Sequence, residues 1–341
     1  MGFLQTTAQA LVAPGKGILA ADESTKTITK RFSSIGIESS VETRQAYRQM
    51  LFTSPGFGEY ISGVILYDET IRQSSTEGKS FVKILQASGA IPGIKVDTGA
   101  IDLPAASGEK ITEGLDGLRQ RLQEYKKLGA GFAKWRAVIN IDDANGLPSD
   151  YCLKVNADAL ARYAALCQEN EIVPIVEPEV IMDGKHSVES CYKATKRALN
   201  ALFNALYDQR VQLDGLLLKP NMVVAGTLAS RQASITEVAE LSLRCFQETV
   251  PSAVCGIVFL SGGQSDELAT AHLSAMNASQ LTKPWKLSFS YGRALQTASL
   301  NAWAGKKENV SKGQAAFLHR AKLNSAACFG KYSAAMEKDL R

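Results

Sequence analysis

Short apolar runs alternate with longer stretches in which apolar residues return every three or four positions, almost from one end of the chain to the other. The first run is Gly17-Ile18-Leu19-Ala20-Ala21-Asp22 and the second is Ile61 to Asp68. Ile91 to Asp97, Gly131 to Val138 and Ile172 to Glu179 follow. Then come Leu216 to Asn221, Gly256 to Gly263 and Trp285 to Gly292. Runs this short, with no polar alternation, predict strands buried on both faces. The segments between them read as helices. Leu115, Leu118, Leu122 and Tyr125 recur at helical spacing, as do Leu199, Leu202, Phe203 and Leu206. Ser234-x-x-Glu237 predicts a capping box opening a further helix, and Ser311-x-x-Gln314 predicts another near the C-terminus.

Eight buried strands with helices between them predict an α/β fold, a single (β/α)8 TIM barrel spanning residues 1–341. An N-terminal helix is expected within about residues 1–16. An extra C-terminal helical segment and short tail are expected from about residue 305 to the end. A doubly wound open sheet is the other arrangement for such a pattern. It would show a Gly-rich turn after the first strand. Here that strand runs into Asp22-Glu23-Ser24-Thr25, which favours the barrel.

Composition narrows the function classes. The chain is 45% hydrophobic and 21% charged, ordinary for a globular protein, and 38 Lys+Arg against 34 Asp+Glu gives a net charge of only +4. That is too mild for a nucleic-acid binder and compatible with a basic pocket for a small anion. The 6 cysteines are scattered without a C-x-x-C pair, and the 3 histidines lie far apart, so reduced thiols and no histidine metal site are expected. No apolar run is long enough to cross a bilayer and no signal peptide is apparent, so a cytoplasmic protein without stable membrane association is expected.

The chemistry gathers at the ends of the strands, where the site of this fold lies. The first strand ends in Asp22. The third carries Lys95 and Asp97, the fourth Lys134 and Arg136, the fifth Glu177 and Glu179. The sixth ends in Lys219, at which Pro220 stops the ladder. The seventh ends in Ser261-Gly262-Gly263 and the eighth in Ser290-Tyr291-Gly292-Arg293. Residues two apart share a face, so the Lys134/Arg136 and Glu177/Glu179 pairs each point one way. Each pair alone also reads as a structural ion-pair network. Charge at six strand ends around one mouth argues for chemistry. Lys219 is then expected to face other cations, Lys134 foremost, which favours its neutral, nucleophilic form. The glycine turns after strands seven and eight suit a phosphate. A lysine able to form an iminium, two carboxylates able to move protons, and cations at a second end describe carbon–carbon bond chemistry on a phosphorylated ketose.

At these residues the chain resembles the class I fructose-bisphosphate aldolases. The resemblance rests on Ile18-Leu-Ala-Ala-Asp-Glu-Ser-Thr25, Gly93-Ile-Lys-Val-Asp97, Phe132-Ala-Lys-Trp-Arg136, Pro174-Ile-Val-Glu-Pro-Glu179, Leu216-Leu-Leu-Lys-Pro-Asn-Met222, Phe259-Leu-Ser-Gly-Gly-Gln264 and Ser288-Phe-Ser-Tyr-Gly-Arg293. It runs from roughly residue 5 to about residue 332. It implies Lys219 as the Schiff-base lysine, Glu177 as the acid/base for dehydration, and Glu179 as the group keeping Lys219 and its neighbours poised. Asp22 would take the proton of the C4 hydroxyl, and Lys134 would assist electrostatically. Ser261, Gly262, Gly263, Ser290, Gly292 and Arg293 would hold the phosphate beside the ketone. Ser24, Thr27, Arg31, Lys95 and Arg136 would serve the far phosphate or nearby hydroxyls. The resemblance further implies no metal or other cofactor and a homotetramer.

Two departures carry expectations. Lys26 stands where family members often have a small residue, so it would add a phosphate contact or crowd the pocket. Relatives often carry a longer tail ending in Tyr, whereas this chain ends Lys338-Asp339-Leu340-Arg341 with its last tyrosine at Tyr332, so slow enamine protonation is expected. Two other readings compete: another lysine-dependent barrel enzyme of transaldolase type, and a scaffold protein on an aldolase frame.

Overall fold

The computed structural model describes residues 2–338; Asp339, Leu340 and Arg341, the end of the short tail, lie outside the described residues. Eight parallel strands close into a barrel. They are β1 (Gly17–Ala21), β2 (Ile61–Leu66), β3 (Ile91–Lys95), β6 (Phe132–Ile139), β7 (Val173–Val180), β8 (Leu217–Leu218), β9 (Gly256–Phe259) and β10 (Lys286–Tyr291). Between β3 and β6 lies an antiparallel hairpin, β4 (Gly99–Asp102) with β5 (Lys110–Glu113). The hairpin was not expected. Its outward positions are polar or exposed, so it leaves no apolar run in the sequence.

Each barrel strand has two faces with different jobs. The outward face of β6 carries Ala133, Trp135 and Ala137, packed under the surrounding helices. The inward face starts apolar. Ile18, Ala20, Ile65, Phe132, Val173, Ile175, Leu217 and Val258 form an inner core, closed from below by Ala8, Leu11 and Val12 of the N-terminal segment. Phe132 is the one large ring in that core. It fits because β2 and β3 present Gly63 and Gly93 to it: a Cβ on Gly63 would stand 3.0 Å from the ring, and one on Gly93 would overlap it.

Two residues further along the same inward faces, the side chains change character. On β6 the series runs Phe132, Lys134, Arg136, and on β7 it runs Val173, Ile175, Glu177, Glu179. Period-2 alternation therefore gives one face a dry floor and a charged top.

The helical expectations hold in most places. The N-terminal helix is Phe3–Leu11, and the long C-terminal helix is Val310–Cys328 followed by a turn over Ala334–Lys338. The helix carrying Leu199, Leu202, Phe203 and Leu206 spans Val188–Asp208 and buries all four. Leu115 falls outside the Leu118–Leu128 helix, because Gly117 in a left-handed conformation starts it. Ser234 caps the Ile235–Thr249 helix by accepting from the Glu237 N–H, but the Glu237 carboxylate turns to Arg231, so the reciprocal half of the box is not made. Ser311 is no cap. It lies inside the helix, Asn309 precedes it, and Gln314 donates instead to the carbonyl of Met50 at 3.1 Å. The six cysteines are all free thiols. Among the described residues no helix is long and apolar enough to cross a membrane.

Gly93→Ala tests the inner-core packing. The added methyl must displace the Phe132 ring, and overpacking of this kind costs about 1–3 kcal/mol. A lowered urea midpoint with an unchanged m-value is the expected result. An unchanged midpoint would show that the floor has slack.

Candidate active site

Lys219 sits one residue beyond β8. Its N–H still donates to the Val176 carbonyl at 2.8 Å, while Pro220 has no N–H with which to continue the ladder. The strand is therefore only two residues long, and the lysine stands at the top of the inner core. The following loop is held by Asn221, whose Oδ1 accepts from the Val180 N–H at 3.1 Å and whose Nδ2 donates to Thr195 at 3.0 Å.

Lys219 was expected to face other cations, Lys134 foremost; the structure adds a carboxylate between these two. Glu177 stands between them, with Oε1 3.0 Å from the Lys219 ammonium and Oε2 3.3 Å from that of Lys134. Lys134 also meets Asp22 at 2.7 Å and Asp97 at 4.0 Å. All five side chains are buried or nearly so. Two ammonium groups this close and this buried require carboxylates among them, which the sequence pattern could not place.

The electrostatics follow from that arrangement. Burial alone would raise the Asp22 carboxyl, but Lys134 and Lys219 outweigh it and hold Asp22 well below the ordinary carboxylate range. Glu177 is lowered in the same way: burial opposes, Lys219 and Lys134 prevail. Lys134 moves the other way. Burial would lower it, but Asp22, Glu177 and Asp97 together push it above its ordinary value. Glu177 Oε2 meets Lys134 as an ion pair and not as an aligned hydrogen bond.

Around this floor opens a cavity of about 530 Å³. Every expected site residue lines it except Gly263. Lys95 is anchored to Asp97 at 2.5 Å. Ser24 caps the helix Thr25–Ser33 and lies 3.1 Å from the Thr27 hydroxyl. Arg136 pairs with Glu179, which turns it toward the rim. Arg293 donates to the Gly262 carbonyl. Burial, then the neighbouring Arg31 guanidinium, push Arg293 below its ordinary value. Arg31 Nη2 lies 3.8 Å from where a Cβ on Gly292 would stand. It therefore belongs beside the strand-eight turn, although it was expected with the more distant contacts. The Ser290 hydroxyl is buried and unpartnered among the described residues. Lys26 is exposed and does not line the cavity, so it neither crowds nor extends it.

Three polar residues of the cavity escaped the sequence reading. Lys30 lies on the Thr25–Ser33 helix after β1 and Ser34 is its C-cap. Their signal was the spacing Thr27, Lys30, Arg31, Ser34, one face at i, i+3, i+4 and i+7. The third, Glu23, is buried between Arg31 and Arg48, the latter at 2.5 Å, and receives Gln296 at 2.8 Å. Burial would raise its carboxyl, but Arg31 and Arg48 bring it below the ordinary range. Arg48 and Gln296 lie 25 and 273 positions away, so no local pattern could connect them.

Comparison with known proteins agrees with this geometry. The profile of the family described as "Fructose-bisphosphate aldolase class-I" matches residues 3–341. A probable fructose-bisphosphate aldolase class 1 from Xanthomonas axonopodis pv. citri is 57% identical over 331 residues, covering 96% of this chain and 98% of that protein. Fructose-bisphosphate aldolase 5, cytosolic, from Arabidopsis thaliana is 54% identical, covering 98% and 92%. The solved structure of fructose-bisphosphate aldolase from Plasmodium falciparum, in complex with TRAP and a small molecule inhibitor, superposes with a TM-score of 0.96 at 51% identity, over 97% of this chain and 95% of that one. With the family profile running through the whole barrel and the lysine, carboxylate and arginine positions standing together at its mouth, the chain belongs to the class I fructose-bisphosphate aldolase family.

Proposed function

We propose that the mouth cavity carries out the family's reaction, reversible cleavage of fructose 1,6-bisphosphate to dihydroxyacetone phosphate and glyceraldehyde 3-phosphate, with Lys219 as the nucleophile and no metal. The observation that carries this reading is the Glu177 carboxylate shared between the Lys219 and Lys134 ammonium groups. At 3.0 Å, Glu177 is within reach to take a proton from Lys219 and free its lone pair. The amine then adds to the ketone carbon. Glu177 returns that proton to the departing hydroxyl, water leaves, and an iminium joins Lys219 to the substrate.

The iminium draws electrons from the C3–C4 bond. For that bond to break, the C4 hydroxyl must lose its proton, and we assign the acceptor role to Asp22. Lys134, kept cationic by Asp22, Glu177 and Asp97, holds Asp22 ionised for this task. The electron pair goes into an enamine on Lys219, and the aldehyde half leaves. Protonation at carbon and hydrolysis release the second product and the free amine.

The phosphate beside the ketone is assigned to the turns after β9 and β10. Ser261, Gly262, Ser290, Gly292 and Arg293 line the cavity there, with Arg31 beside them. The far phosphate and sugar hydroxyls are assigned to Ser24, Thr27, Lys95 and Arg136, joined by Lys30 and Ser34. Glu179 acts through Arg136, which it orients. The proposed assembly is a homotetramer, the usual state of this family. The proposed location is cytoplasmic, supported by the Arabidopsis relative named as cytosolic.

Borohydride reduction with dihydroxyacetone phosphate, in EDTA throughout, should leave a stable adduct on the Lys219 peptide by mass spectrometry. Lys219→Met should abolish the adduct and lower turnover by on the order of 10⁴-fold or more. Cleavage that persists without an adduct would overturn the lysine route. A second test uses acid. Asp22 has its pKa depressed on folding, so its contribution to stability is present above the ordinary carboxylate value and is lost as pH falls below it. In urea melts taken between about pH 5 and pH 3, wild type should lose stability more steeply than Asp22→Asn, by up to about one proton's worth of slope. Parallel slopes would mean that Asp22 is not held ionised by its lysines. Sedimentation equilibrium should return the mass of four chains, and a monomer mass would refute the assembly.

A further inference from the structure

Gly263 was expected to offer its backbone N–H to a phosphate, yet it stands off the cavity. That N–H is already engaged. The thioether sulfur of Met182 is packed directly against it, closer than an N–H···S hydrogen bond of ordinary length. The same sulfur lies 2.8 Å from where a Cβ on Gly262 would stand and 3.2 Å from the equivalent point on Gly263. Met182 therefore covers both glycines of the turn. Gly262 holds φ +57°, a left-handed conformation that turns the backbone toward this contact.

The backbone of Met182 is fixed. Its carbonyl accepts from the Thr227 N–H at 2.8 Å, and the Gly184 carbonyl accepts from Leu228 at 2.8 Å. The Ile181 N–H is tied to the Ile139 carbonyl at 3.0 Å. The side chain is not so constrained. It is unbranched and flexible about three bonds, and it is only partly buried. A thioether is a weak acceptor, whereas a phosphate oxygen makes strong, charge-assisted hydrogen bonds.

We propose that Met182 is a specificity-determining residue: its sulfur covers the Gly263 N–H and must swing aside before the phosphate beside the ketone takes that N–H. The proposal rests on the assignment of the Ser261–Gly263 turn to that phosphate. Met182 then sets the affinity for the phosphate and leaves the affinity for the ketone alone.

The experiment compares dihydroxyacetone phosphate with dihydroxyacetone, which offers the same ketone to Lys219 without the phosphate. Apparent dissociation constants are read from the concentration dependence of borohydride trapping. Met182→Ala should tighten dihydroxyacetone phosphate by about three- to tenfold, the range set by one net hydrogen bond, and leave dihydroxyacetone unchanged. No tightening, or equal tightening of both ligands, would overturn the proposal. Arg293→Ala is measured alongside. If it weakens dihydroxyacetone phosphate alone, the phosphate assignment stands and the Met182 result is decisive by itself. If it leaves both ligands as in wild type, the phosphate assignment fails and the Met182 proposal falls with it.

Discussion

The rest of the site depends on one carboxylate held between two amines. Glu177 separates the buried Lys219 and Lys134 ammonium groups at the base of the mouth cavity. Burying either lysine alone carries a penalty of several kcal/mol, and two without counter-charges would repel strongly at low dielectric. Glu177, Asp22 and Asp97 offset that cost. The same grouping puts the Lys219 amine within 3.0 Å of a carboxylate.

The barrel makes such a grouping possible by geometry. The carboxylate and the two lysines come from three neighbouring strands, β6, β7 and the end of β8, and each stands one inward step above an apolar residue. Phe132 fills the floor beneath them because Gly63 and Gly93 give its ring room. The dry core and the charged mouth thus share the inward faces of the same strands. A slip of one residue in a strand would turn its charges under the helices and its outward apolar side chains into the lumen.

The rim follows a different logic. Arg31, Arg136 and Arg293 converge on the mouth, and Glu23, Glu179 and Arg48 hold the first two in place. Arg293 is lowered by burial and by Arg31, the signature of cations gathered around a space suited to an anion. Arg293 donates to the Gly262 carbonyl, and the Met182 sulfur covers the neighbouring Gly263 N–H.

Much of this was legible in the residues alone. Buried parallel strands must be short apolar runs, so eight of them in series with helices between announced the barrel. Period 2 places Lys134 with Arg136 and Glu177 with Glu179 on common faces. What pattern could not supply was distance between segments. Which carboxylate would stand between Lys219 and Lys134 depended on how β6, β7 and β8 align. That Glu23 would meet Arg48 and Gln296 depended on chain closure across 273 positions. That Met182 would cover the Gly263 N–H depended on how the loop after β7 lies against the turn after β9. Alternation along one strand is local and written in the residues. Pairing between strands and loops is decided by packing, and so belongs to the tertiary structure.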